Sequence, residues 1–111
     1  MPIVTRLTTC GPGGVLAESN IGTGTGGPPG QGNWVQIGRH QFAATELCLG
    51  FDAANTFTGT TKIRSSLTVN KGGDEFTAAV QTDTILPNGI TLPFHPAGTA
   101  HGVRVPIEPL N

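Results

Sequence analysis

Apolar and polar residues alternate over much of this chain. From Thr61 to Val69, the positions Ile63, Ser65, Leu67 and Val69 alternate with Lys62, Arg64, Ser66 and Thr68. A period of two puts one side of a strand against a core and the other in water. The same period runs through Leu47, Leu49 and Phe51 against Glu46, Cys48 and Gly50, and through Val103, Val105 and Ile107 against Arg104, Pro106 and Glu108. Three half-buried strands follow, with Ile63, Leu67, Leu49 and Val105 expected to face the core. Ile3 to Thr9, Asn33 to Gly38, Glu75 to Thr82 and Ile90 to Phe94 are further strand candidates, rich in β-branched or aromatic residues and bounded by turn formers. Between Ile85-Leu86 and Ile90-Thr91-Leu92 stands Asn88-Gly89, a pair that readily adopts the positive φ angles of a tight hairpin turn. Helix has little room, because Gly or Pro interrupts most windows of a dozen residues and the 16 Thr disfavour it further. Only Gln41 to Leu47 or Thr77 to Gln81 has the composition for a helical turn or two. Seven short strands separated by turns predict an all-β fold, an antiparallel β-sandwich or a partly open barrel.

At 111 residues the chain has room for one domain. Between Gly11 and Asn33 the strand pattern breaks down, with nine glycines and three prolines in GPGGVLAESNIGTGTGGPPGQGN. This segment reads as a Gly/Pro-rich arm or loop ahead of a β core at 34–107, with Val15, Leu16 and Ile21 as its apolar anchors. Charged residues are only 12%, and six Lys+Arg against seven Asp+Glu leave a net charge of −1. That balance argues against nucleic acid or an anionic membrane as partner, since both require a basic surface. A surface so poor in charge suits a protein packed against others. No apolar run reaches the length of a membrane span, and Met1-Pro2-Ile3-Val4-Thr5-Arg6 lacks the layout of a signal peptide, so a soluble chain made in the cytoplasm is expected. Its two cysteines, Cys10 and Cys48, are then expected as reduced thiols.

Chemistry-bearing motifs are weak. Gly22, Gly24 and Gly27 match the spacing of a dinucleotide-binding loop, but Pro28-Pro29-Gly30 follows where a helix must begin. His40, His95 and His101, with the two cysteines, lack the paired spacing of a zinc site, so no metal or other cofactor is expected. Asp52-Ala53-Ala54-Asn55 reads as a turn in which Asp and Asn bond their own backbone. Ser65, Ser66, the histidines and the scattered acids form no nucleophile elbow or carboxylate pair, and no enzyme is expected. Trp34 is the lone tryptophan in a chain without tyrosine, an anchor for a core or an interface more than a stacking platform. Arg64 and Arg104 lie on the outward parity of their strands, as solubilising charges or as forks for a partner's carboxylates.

The run Asn55-Thr56-Phe57-Thr58-Gly59-Thr60-Thr61-Lys62-Ile63-Arg64-Ser65-Ser66-Leu67, then Glu75-Phe76-Thr77, Ile90-Thr91-Leu92-Pro93 and His101-Gly102-Val103-Arg104-Val105, resembles the small β-sandwich modules of tailed-bacteriophage virions. Head decoration (cement) proteins are the nearest in look, with head fibres and some tail proteins sharing it. Gly59, Ser65, Arg104 and Val105 match the pattern, whereas the long segment at 11–33 departs from it. The resemblance implies a structural virion protein on the capsid surface, bridging subunits of the major capsid protein, as a homo-oligomer and often a trimer. On that reading Val15, Leu16, Ile21, Trp34, Arg64 and Arg104 are the partner-binding residues. A glycan-binding or host-surface module is the rival, its site formed by loops such as Asp52 to Asn55.

Overall fold

A computed structural model of the chain describes residues 6–20 and 29–110. Seven strands, β1 (Arg6–Gly11), β2 (Val15–Asn20), β3 (Gly30–Gln36), β4 (Gln41–Phe51), β5 (Phe57–Val69), β6 (Glu75–Ile85) and β7 (Ala97–Val103), follow one another along the chain. They pair in the same order, each antiparallel to the next, as one meander curled into a half-barrel. The all-β expectation holds in its partly open barrel form, since a single sheet leaves no second layer for a sandwich. Among the described residues, β1 and β7 are the two free edges.

Turn chemistry sets the register. Asp52 Oδ1 accepts the amides of Ala54 and Thr56, both at 2.9 Å, and closes the β4–β5 connection. Between β5 and β6 the Asn70 side chain accepts from the amides of Asp74 and Glu75 and donates to Asp74 Oδ1 at 2.7 Å. The Asn88-Gly89 turn is present, with Gly89 at φ +89° and the Leu86 amide donating to Ile90 O at 2.8 Å. It carries one bridge, Ile85 to Thr91, so Ile90 to Phe94 is not a strand. Gln41 to Leu47 and Thr77 to Gln81 lie within β4 and β6 and carry no helical turn.

Three expectations need correction. The segment Gly11 to Asn33 is not one irregular arm, because it contains β2 and the first half of β3. Val15, Leu16 and Ala17 of β2 pair with β1 on one side and β3 on the other, and β3 pairs in turn with β4. On β4 the faces are reversed. Ala44, Glu46 and Cys48 are buried on the inner side, while Leu47, Leu49 and Phe51 are 45–57% exposed on the outer. The cause lies in β3, where Gly30 sits opposite Cys48 and Gly32 opposite Glu46. Two missing side chains leave a trough that β4 fills with Glu46 and Cys48. Finally, among the described residues strand pairing stops at Val103, the end of the last strand, beyond which the Arg104 amide still donates to Asp74 O. Val105 is 74% exposed instead of core-facing.

Ile63 and Leu67 do lie on the inner face, half-buried. That face holds a thin core of Leu16, Ala44, Cys48 and Ala78, with Trp34 edge-on to Phe42 at 5.8 Å. Among the described residues no large side chain is completely buried. The accessible surface is 8165 Å², against about 5,800 Å² for a compact monomer of this mass. The radius of gyration is 15.2 Å, against about 13 Å for a compact chain of this length.

Candidate functional site

Two polar clusters form where the sheet brings distant residues together. The first lies on the inner face over the glycine trough. Arg6 of β1 places Nε 2.7 Å from Glu18 Oε1, Nη1 4.0 Å from Glu46 Oε1, and donates from Nη2 to Cys48 Sγ at 3.6 Å. The Thr8 hydroxyl donates to the other Glu18 oxygen. Glu46 reaches across β3 because a Cβ at Gly30 would stand 2.8 Å from both Glu46 Oε2 and Cys48 Sγ. Burial pushes the Glu46 carboxyl up to about 8, reinforced by a hydrogen bond to Glu18 and that carboxylate's charge, with Arg6 opposing. At neutral pH Glu46 therefore keeps its proton while Glu18 pairs with Arg6. Burial also raises the Cys48 thiol, against the hydrogen bond from Arg6, so the thiolate needed for nucleophilic attack is disfavoured. Glu46 is 5% exposed and its Oε2 is buried without a hydrogen-bond partner. Glu46 and Cys48 are thus both held in the buried part of the inner face, at 5% and 2% exposure.

The second cluster lies on the outer face. Asp83 of β6 is 7% exposed beneath the β6–β7 connection. Arg64 Nη2 stands 3.0 Å from both its oxygens and His95 Nδ1 bonds Oδ1. Burial raises the Asp83 carboxyl, but the His95 hydrogen bond and the Arg64 charge outweigh it and hold it below the usual range. The Asp83 pair pins the long connection to the sheet.

The residues expected to bind a partner fall in different places. Val15 is 56% exposed on β2, whereas its neighbour Leu16 is buried on the inner face. Ile21 lies outside the described residues. The Trp34 indole N–H donates to Gly11 O at 3.1 Å and Val15 O at 3.0 Å, which clamps β3 to the β1–β2 turn. Arg64 is spent on Asp83 within the chain, although its side chain stays 47% exposed. Arg104 is exposed just beyond β7. The described ones among them do not form one site. Sequence reasoning missed Arg6, Glu18, Glu46, Asp83 and His95 as interacting groups. A signal was available for the first cluster, since Gly-x-Gly at 30–32 and Glu-x-Cys at 46–48 have the same period and pack together when their strands pair.

Cys10 and Cys48 are both free, the first exposed and the second buried. Among the described residues no three His, Cys, Asp or Glu side chains converge as metal ligands, and no helix is long and apolar enough to cross a membrane. Two depressions on the described surface are shallow and open. One is lined by Ser66, Thr68, Thr77, Thr99 and His101, the other by Val15 to Ala17 and Gln31 to Asn33. The outer face carries an apolar stripe, with Leu47, Leu49 and Phe51 along β4 and Phe57 at the start of β5, its ring 5.8 Å from Phe51. No family model, curated protein or solved structure matches the chain.

Proposed function

We propose that this protein is a structural virion subunit that lies on the outer surface of an assembled phage capsid and bridges neighbouring copies of the major capsid protein. The observation that carries the reading is the uncovered sheet. A β-sheet normally buries one face against a second layer, and here the Leu47–Leu49–Phe51–Phe57 stripe has none among the described residues. The surplus of accessible surface is about 2,400 Å², three times the roughly 800 Å² that one partner buries in a standard interface. Such a surplus favours a chain that is completed by its neighbours. The virion setting comes from the resemblance at residues 34–107, and the near-neutral charge agrees with close packing against like and unlike subunits. The glycan-binding alternative loses its best ring, since the Trp34 indole is held by two main-chain carbonyls and by Phe42.

Cosedimentation with empty capsid shells tests the reading. Saturable binding is expected, and Leu49→Asp with Phe51→Asp is expected to weaken it at least tenfold while the far-ultraviolet circular dichroism stays unchanged. No binding to shells, or undiminished binding by the double variant, overturns the proposal, and selective capture on a glycan array transfers the case to the ligand-binding reading.

A further inference from the structure

The last seven described residues, Arg104 to Leu110, are the least covered part of the molecule. Val105 is 74% exposed, Ile107 98% and Leu110 101%. Their sequence alternates as a strand does, yet among the described residues they join no strand. Immediately before them runs β7, which pairs with β6 on one side and is a free sheet edge on the other. An unpaired edge is a template for another strand. A donor segment and an acceptor edge, of equal length, are thus joined end to end.

We infer that β7 and its C-terminal extension form a reciprocal, two-fold interface with a second copy of this chain, each extension adding as an antiparallel strand to the other copy's β7. The direction of the main-chain groups supports it. The Arg104 amide donates to Asp74 O at 2.7 Å, and Pro96 O accepts from the Thr82 amide at 2.9 Å. Even-numbered residues from 96 to 104 therefore turn their main chain toward β6. In a strand each residue's N–H and C=O point to the same side and alternate along the chain, so Ala97, Thr99, His101 and Val103 turn theirs to the free edge. Val105 and Ile107 continue that series. Pro106 falls on an even position, where its missing N–H costs the outer ladder nothing. Pro109 falls on an odd position and ends the ladder after Ile107.

The register follows from these positions. With Val103 opposite the second copy's Val103, His101 faces Val105 and Thr99 faces Ile107, every pair an odd position that offers outward main-chain groups. Val103, itself 65% exposed, Val105 and Ile107 share the outer face; across the seam Val103 covers its counterpart, while Val105 lies against His101 and Ile107 against Thr99. No Asp, Glu, Lys or Arg lies within Ala97 to Val103 to oppose the approach. A second copy fits better than an unrelated strand because only a copy both fills the edge and needs its own extension covered. One ladder uses part of the surface surplus and leaves the β4 stripe free for the shell. This inference goes beyond the virion reading and does not depend on it.

Sedimentation of the full chain, with three kinds of variant, tests it. A dimer is expected. Val105→Pro removes an outward N–H and is expected to raise the dimer dissociation constant at least tenfold, whereas Pro106→Ala is expected to leave it unchanged. In a Cys10→Ser background, Val103→Cys is expected to oxidise to a covalent dimer, because a directly opposed pair has a Cα separation near 5.5 Å, within reach of a disulfide. Thr99→Cys, whose mate is Ile107, is expected to stay uncrosslinked. All four sites are exposed, so folding is not at risk. A monomeric parent, an oligomer indifferent to Val105→Pro, or a trimer in which Val103→Cys does not crosslink overturns the inference. Shell binding is scored separately, so either proposal fails without the other.

Discussion

Glu46 sits where a polar residue has least reason to be, and its neighbours explain how it is tolerated. Two carboxylates and one guanidinium converge over Gly30 and Gly32, and the proton retained on Glu46 removes the excess negative charge. The sign of the pH dependence follows. The folded chain holds that proton up to about pH 8, whereas the unfolded chain releases it near 4.5. The contribution to stability is therefore complete below about pH 4.5, falls as the pH rises, and is lost beyond about pH 8. Urea midpoints are expected to decline over that window, and Glu46→Gln, which stays neutral, is expected to flatten the decline and be the more stable chain at alkaline pH. An equal decline in both proteins places the titration elsewhere. The glycines make a second prediction at this scale. A methyl group at Gly30 meets Cys48 Sγ and Glu46 Oε2 at 2.8 Å, and at Gly32 it meets Thr45 O at 1.9 Å. Gly30→Ala is expected to cost about 1–3 kcal/mol, the range of overpacked sites, with Gly32→Ala costing more because backbone must move. Chemical denaturation of the two variants checks the order. Alternation alone hid this cluster, because it assigned Leu47 and Leu49 to the core on hydrophobicity, while the vacancy over β3 determined which face of β4 was buried.

The same reversal separates elements that were legible from those that were not. β5 and β6 are central strands with neighbours on both sides, and their period of two matches the burial observed, Ile63 and Leu67 inward and Arg64 outward. β4 has the same regular period with its faces exchanged, since periodicity gives the phase of a strand but not which phase meets a core. β2 was hidden by glycines on either side, although Val15, Leu16 and Ala17 pair directly with β1 and β3. Two matched truncations measure the reversal. Leu67→Ala removes a half-buried inner side chain opposite Phe42 and is expected to cost about 1–3 kcal/mol, at the lower end of core truncations. Leu49→Ala, with its side chain half in water, is expected to cost less than about 0.5 kcal/mol, as surface changes do. Equal shifts in melting temperature refute the face assignment drawn from the structure. Removal of residues 11–33 is, by the same logic, no test of a dispensable arm, because it deletes β2 and the part of β3 that lies along β4.

At the scale of the whole molecule, one sheet without a second layer among the described residues is what the proposed assembly would complete. A sheet whose Leu47–Leu49–Phe51–Phe57 stripe and two edges are uncovered among the described residues would gain stability from whatever a neighbour buried. Species that bind only the folded state stabilise it by mass action, so the melting temperature must depend on concentration if copies associate. A tenfold rise in concentration contributes about 1.4 kcal/mol per dimer, shared between two chains. For a domain of this size that is a rise of about 3–5 °C, on a scale of roughly 4–8 °C per kcal/mol. Val105→Pro is expected to remove this dependence by blocking the edge ladder, and Leu49→Asp with Phe51→Asp to leave it intact while abolishing the further rise that shells provide. Differential scanning calorimetry across a hundredfold dilution series, with and without shells, separates the two contributions. A melting temperature that is independent of concentration and unmoved by shells identifies a self-sufficient monomer, and with it the uncovered sheet would cease to be an argument for assembly.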